Sequence, residues 1–306
     1  MDYTPLLDVA ARCGCKITEH APMSAATTFK VGGPADLFID LPDGTAAGQV
    51  LACCHREGIP WLFIGNGSNL LVGDKGFRGA VLRLDGHGVI PVRQEELGPG
   101  WVYAPAGMSL QRLCLFARDN ALTGLEFAYG IPGTVGGAVY MNAGAYDGCM
   151  GDVVLFAHCL TAEGEPGLLP AQELAMAYRH TALMDKDLIV TGVTLRLQPG
   201  DKEAIAARMK ELMTRRQDKQ PLEYPSAGSF FKRPTGYFAG ALIEQAGLKG
   251  YTVGGAQVSE KHAGFVINRG GATAADICTL CRDVQEKIWK DNAVRLEPEV
   301  RFVGEF

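Results

Sequence analysis

Two short stretches dense in glycine constrain the fold of this 306-residue chain more than any other feature. The first, Gly65-Asn66-Gly67-Ser68-Asn69, lies between the apolar runs Trp61-Leu62-Phe63-Ile64 and Leu70-Leu71-Val72. Glycine and asparagine tolerate positive φ, so the amides of such a loop can converge on an anion, with the Ser68 hydroxyl added. Read alone, the same residues also make a hairpin turn, since Asn-Gly between two strands is a common turn signal. A GxG is present, but no third glycine follows and no helix opens behind it, so the Rossmann fingerprint fails on context.

The second stretch runs from Gly130 to Tyr146, GIPGTVGGAVYMNAGAY. Pro132 suits a first helical position, and the small residues behind it strip away side-chain bulk. A diphosphate or a flat ring can then lie directly against backbone and a helix N-terminus. The competing reading is a closely packed small-residue helix with no ligand. Two separate glycine nests in one chain favour a large diphosphate-bearing ligand.

Around these loops the apolar periodicity predicts helices over residues 5–13, 44–57 and 109–120 and strands at Phe29-Val31, Ala35-Leu41, Val81-Leu84 and Trp101-Ala104. Strands Val153-Cys159 and Leu188-Leu197 come next, and Pro199-Gly200 closes this half. A helix over 201–218 opens a new unit, with Ile205, Met209, Leu212 and Met213 as its buried stripe. Further helices are expected over 238–246, ending at Gly247, and from Thr273 through the stripe Ile277, Leu280, Cys281, Val284 and Ile288. An alternating strand from Val294 to Val303 ends the pattern. Helices and strands mix without the regular βα repeat of a Rossmann sheet, which indicates an α+β or α/β chain cut near Pro199.

Bulk composition narrows the function. A net charge of -5 argues against a general nucleic-acid binder, although local basic clusters can still hold a small anion. Met1-Asp2-Tyr3-Thr4-Pro5 has no basic start and no long apolar run, so neither a signal peptide nor a membrane span is expected. Nine scattered cysteines suit a reducing cytoplasm, and the lone CxxC, Cys278 to Cys281, falls in a helical pattern without a second pair. No metal site is expected, and the residues point to no particular protein partner.

Three motifs carry a resemblance. TTFKVGGPAD from Thr27, GNGSNLL from Gly65 and GIPGTVGGAVYMNAGAY from Gly130 resemble, in the family's own order, the UDP-N-acetylenolpyruvoylglucosamine reductases. The likeness runs along nearly the whole chain. It implies the FAD-binding fold of the vanillyl-alcohol oxidase type, two α/β subdomains divided near residue 86, plus a C-terminal α+β substrate domain. The implied division is an N-terminal segment 1–28, an FAD-binding domain 29–199 and a substrate-binding domain 200–306 whose last strand returns to the active site. The short passage from Leu197 to Pro221 looks like the family branch that lacks a tyrosine-bearing loop.

The resemblance further implies that non-covalent FAD is held by Ile64, Gly65, Asn66, Gly67, Ser68 and Asn69, with Ala106 and Gly107 alongside. Gly130, Pro132, Gly133, Gly136, Gly137, Asn142, Ala143, Gly144 and Ala145 complete the cofactor set, and Arg301 meets flavin or substrate. NADPH is the implied electron donor and a UDP-sugar the implied substrate. NADPH would reduce the flavin and leave, and the enolpyruvyl ether would then take the same pocket.

Reducing an enolpyruvyl double bond needs a hydride at one carbon, stabilisation of the enolate-like charge, and a proton for the other carbon. By the resemblance Arg179 holds the substrate carboxylate, Ser229 protonates the intermediate, and Glu299 assists it. Without the family these residues read as a surface charge, a turn serine and a solvated strand face. Tyr178, Arg215, Lys219, Lys232, Lys249 and Gln257 are the expected substrate contacts. Thr181, where serine is frequent, and Arg233, where some members carry asparagine, depart from the pattern. Two other functions stay open at this point, a flavin oxidase of the same fold and a nucleotide-binding regulator without catalysis.

Overall fold

In the computed structural model, which describes residues 1–86, 90–94 and 96–306, the first glycine loop does not close a hairpin. Strand Trp61–Ile64 pairs in parallel with Phe77–Leu84, and Leu70–Val72 pairs in parallel with Arg301–Val303. The runs flanking the loop are therefore not each other's partners, and the simple turn reading fails.

The chain forms two compact units. One comprises Met1–Glu19, Leu37–Asn66 and Gly79–Thr214, and the other His20–Asp36, Gly67–Arg78 and Arg215–Phe306. The sequence reading divides the chain into consecutive stretches, whereas these units interleave. Long-range bonds explain the difference. The Thr28 hydroxyl donates to the Ser226 carbonyl (2.7 Å), and the Asn268 amide donates to the Phe29 carbonyl (3.1 Å).

The first unit holds most of a four-stranded sheet in the order Lys16–Pro22, Pro34–Leu41, Phe77–Leu84, Trp61–Ile64. Helix Gly44–Glu57 starts where the Asp43 carboxylate accepts the Ala46 N–H (2.8 Å) and stops at Gly58, whose φ of 63° is left-handed. A five-stranded sheet comes after it in the order Pro166–Pro170, Val154–Leu160, Ile189–Arg196, Trp101–Pro105, Val92–Arg93. Val102, Ala104, Ala157, Cys159, Val193 and Leu195 are its buried face. In helix Lys202–Lys219, Ile205, Met209 and Leu212 are buried as expected, and Arg216 is buried where periodicity asks for an apolar residue.

The second unit is built on an antiparallel sheet, Ser226–Ser229, Phe265–Asn268, Ala256–Val258, Thr252–Val253, with helices Ala239–Gln245 and Ala274–Asn292. Thr273 and Asp276 form a capping box on the last helix, and the Asp74 carboxylate accepts the N–H groups of Ala274 and Ala275 as well. Ile277, Leu280, Val284 and Ile288 are wholly buried. Each such side chain contributes about 1.5–3 kcal/mol as an upper bound.

Two strands differ from expectation. Phe29-Val31 is buried at Phe29 and Val31 but forms no ladder, because Lys30 takes a φ of 58° and the Thr27 hydroxyl bonds the Val31 carbonyl, bending the chain. The long terminal strand shortens to Arg301–Val303, preceded by an isolated bridge between Phe231 and Pro298. Leu296 and Val300 are buried, but Phe302 is exposed, so the expected alternation ends early.

Candidate active site

Within the first unit, three sequence-predicted segments converge. A Cβ on Gly65 would come 2.3 Å from the Thr134 hydroxyl oxygen, and one on Gly136 would come 2.7 Å from the Ala106 Cβ. The Asn66 side-chain amide donates to the Pro132 carbonyl at 2.7 Å. Behind them, Gly86 approaches Gly107 so closely that a Cβ would fall 2.1 Å from the Gly107 carbonyl oxygen. Gly65 and Asn66 thus meet residues 132–134, and Ala106 meets Gly136, in one cradle with no room for a side chain at either glycine. Close approach of this kind is what demands glycine at Gly65 and Gly136.

The helix end expected to grip the diphosphate is already occupied. Helix Val135–Tyr140 begins with Val135 N–H donating to Met108 O (2.8 Å) and Gly136 N–H to Ala106 O (2.9 Å). Gly137 N–H donates to the Thr134 hydroxyl (3.2 Å). Thr134, which both caps this helix and abuts Gly65, is missing from the sequence-predicted set. A threonine directly before a small-residue helix is the N-cap signal that would have found it. Gly130 takes a φ of 90°, the exposed Pro132 leads into the helix, and the Gly133 carbonyl accepts the Leu110 N–H.

At the other end of this helix, Asn142 occupies the left-handed closing position with a φ of 41°. Ala143 N–H reaches Ala138 O and Asn142 N–H reaches Val139 O, the paired bonds of a Schellman ending. Gly144-Ala145 then pairs with Gly148-Cys149. Asn142 stands in the predicted cofactor set, but the residue is 7% exposed and its side chain is spent inside the protein. Its amide donates to Ala177 O (3.0 Å), and its carbonyl oxygen accepts the Gly151 N–H (2.9 Å).

Tyr178 and Arg179 form the tip of a tight turn whose flanks, Ala177 and His180, pair with each other. Arg179 sits there with a φ of 55°, a region that favours glycine or asparagine. Its guanidinium donates to the Gly144 carbonyl (3.3 Å) and lies 5.0 Å over the Tyr178 ring, which is 57% exposed.

In the second unit Ser229 ends a strand that carries a bulge. Ser226 faces Ile267 and Ser229 faces Phe265, so three steps on one strand match two on the other. Gly228, with a φ of 77°, absorbs the extra residue, and Ser229 emerges exposed. Glu299 is stitched to the same place. Its N–H donates to Phe230 O (2.8 Å), and Lys232 N–H donates to Glu297 O (2.9 Å). The Asn69 side-chain amide donates to the Glu299 carbonyl (3.0 Å), and Arg301 N–H to the Asn69 carbonyl (2.9 Å). Ser229, Glu299, Asn69 and Arg301 are therefore gathered chiefly by backbone bonds. Gly67 is locked beside Ala26, whose carbonyl oxygen a Cβ would meet at 2.2 Å. The amides of Gly67 and Ser68 find no acceptor among the described residues.

The expected substrate contacts are more dispersed. Lys232 meets Glu297 (3.4 Å), and Lys249 pairs with Glu244. Gln257 donates to Gly250 O and the Thr252 hydroxyl, bracing its own hairpin. Arg215 and Lys219 are exposed on the helix that also carries buried Arg216. Arg233 lies 4.2 Å over the Phe238 ring. His262 is structural: its Nδ1 accepts the Gly264 N–H (3.1 Å), and burial lowers its pKa. Burial likewise pushes the Cys281 thiol up to about 12, a poor nucleophile. Among the described residues no group of His, Cys, Asp and Glu could hold a metal, and no helix is long and apolar enough to cross a membrane.

Comparison with known proteins bears on this arrangement. Residues 45–166 match the FAD binding domain family, and residues 220–303 match the C-terminal domain of UDP-N-acetylenolpyruvoylglucosamine reductase. Reductases of that name from Agathobacter rectalis and Pediococcus pentosaceus are 48% and 49% identical, each match covering 95% of both chains. The crystal structure of the enzyme from Thermus caldophilus superposes with a TM-score of 0.79 at 36% identity, over 94% of this chain and 98% of that one. With an α+β fold, an FAD-binding domain and relatives alike along almost its full length, the chain belongs to the UDP-N-acetylenolpyruvoylglucosamine reductase family.

Proposed function

We propose that this chain reduces the enolpyruvyl ether of UDP-N-acetylenolpyruvoylglucosamine to give UDP-N-acetylmuramate, a step in making peptidoglycan precursors, with NADPH as electron donor. Family membership supports the reaction, and one local observation carries the assignment of residues: a bulge that presents Ser229 beside the segment bearing Glu299. Bound FAD supplies the hydride.

Arg179 holds the substrate carboxylate, where a guanidinium forks onto two oxygens and favours the enolate. Ser229 delivers a proton to the carbanionic carbon, and Glu299 assists it or steadies the charge. Ile64 to Asn69, Ala106-Gly107 and residues 130–145 hold the cofactor, Asn142 with its backbone alone, since its side chain is spent on Ala177 and Gly151. Tyr178, Arg215, Lys219, Lys232, Lys249 and Gln257 supply contacts to the UDP-sugar. In this reading residues 29–199 do the flavin binding and 200–306 bind substrate. The protein works in the cytoplasm on a small molecule, binding neither nucleic acid nor membrane; nine free thiols favour that compartment.

The test is a spectrum of the purified protein followed by anaerobic additions. FAD absorbance should bleach with NADPH and return with the enolpyruvyl substrate. A colourless protein sinks the proposal, and so does colour that only oxygen restores.

A further inference from the structure

Three side-chain bonds zip the turn that carries Arg179 onto the segment ending helix Val135–Tyr140. The Thr181 hydroxyl, on a wholly buried residue, donates to Tyr140 O at 2.8 Å. The Asn142 amide donates to Ala177 O at 3.0 Å, and the Arg179 guanidinium donates to Gly144 O at 3.3 Å. The middle bond differs from the others because Asn142 is committed at both ends, its carbonyl oxygen holding the Gly151 N–H at 2.9 Å.

The helix ending needs only a residue that accepts positive φ, and glycine would meet that need. Asparagine adds a rigid two-ended carboxamide. One end grips Ala177, which pairs with His180 across the two-residue tip. That tip holds Arg179 at a φ of 55°, a backbone state that costs energy unless its surroundings impose it.

We propose that Asn142 is a positioning residue for Arg179: its carboxamide ties the arginine turn to the helix end and sets where the guanidinium meets the substrate carboxylate, with Thr181 as a second tie. This rests on the reading that Arg179 holds that carboxylate. The side chain of Asn142 thereby acts on the step that consumes the enolpyruvyl ether, not on cofactor retention.

The variant that isolates this role is Asn142→Gly, which keeps the left-handed helix ending and removes only the carboxamide. It is compared with Arg179→Ala, with the double variant, and with Thr181→Val and Thr181→Ser. Each is read for FAD absorbance, for bleaching by NADPH, and for anaerobic recovery of absorbance with the enolpyruvyl UDP-sugar. Asn142→Gly should keep its FAD and its bleaching rate while recovery slows on the order of a hundredfold, as a misplaced binding group does. In the Arg179→Ala background the same change should slow recovery by no more than about twofold, because the carboxamide acts through the arginine. Thr181→Val should slow recovery too, and Thr181→Ser should restore it.

Recovery at the wild-type rate in Asn142→Gly overturns the proposal. So does loss of FAD from that variant, or an undiminished effect of it in the Arg179→Ala background. If Arg179→Ala itself recovers normally, the underlying reading of the arginine falls instead.

Discussion

Ser229 reaches solvent because Gly228 takes the extra residue of a bulge, so the hydroxyl proposed to deliver the proton depends on a neighbour with no side chain. Ser229→Ala should still bleach with NADPH but lose turnover of the enolpyruvyl ether by about a thousandfold, within the range of general-acid contributions. Near-normal turnover would remove the serine from the mechanism. Gly65→Ala pushes a methyl against the Thr134 hydroxyl at 2.3 Å and should cut FAD occupancy, measured as the flavin-to-protein absorbance ratio; full occupancy would refute the cradle. His262 gives a pH signature. Burial, joined by Lys249 and Lys219 and opposed by its backbone bond and Glu244, lowers its pKa below 6.5. The folded protein then binds fewer protons than the unfolded chain, so stability is full above 6.5 and falls as pH drops through the folded value. His158, lowered by burial, acts with the same sign. His262→Asn should flatten part of the slope of denaturation midpoint between about pH 7.5 and 5. An unchanged slope would clear the histidine. At this scale the motifs were legible: Ser229, Arg179 and Glu299 stand out once the resemblance is seen. Asn142 reads only as one of the cofactor-loop residues, because nothing local announces that Ala177 and Gly151 are its side chain's partners.

Helices were far easier to read than strands, and the reason lies in where each finds its bonds. Helix Ala274–Asn292 declares itself through Thr273, Asp276 and a stripe at helical spacing. Thr273→Ala should cost about 1 kcal/mol in chemical denaturation. Asp74→Ala should add a comparable loss, since it removes the acceptor for two further amides; no change for either would deny the caps their weight. Strand Lys16–Pro22 escapes the sequence reading because it is mostly exposed, with no alternation to detect. Residues 294–300 alternate well, but among the described residues they pair only through the Phe231–Pro298 bridge. Alternation reports a half-buried face, and it cannot report whether a neighbouring strand is present.

Ligand linkage belongs to the molecule as a whole. Protein freed of FAD should gain thermal stability with added cofactor, by about 2.7 kcal/mol at a hundredfold excess over the dissociation constant. A melting temperature indifferent to FAD would contradict binding to the folded state. The interleaving of the two units was invisible in the sequence, because segments 20–36 and 67–78 carry no local mark of belonging with residues from Arg215 onward. Strand Leu70–Val72 bears the consequence. Its partner, Arg301–Val303, lies far along the chain from it. Until those residues are made, this apolar strand lacks its ladder partner, the condition in which strands recruit one another. Nascent chains stalled short of codon 301 should therefore aggregate more readily than chains that carry Arg301–Val303, as sedimentation of the two would show.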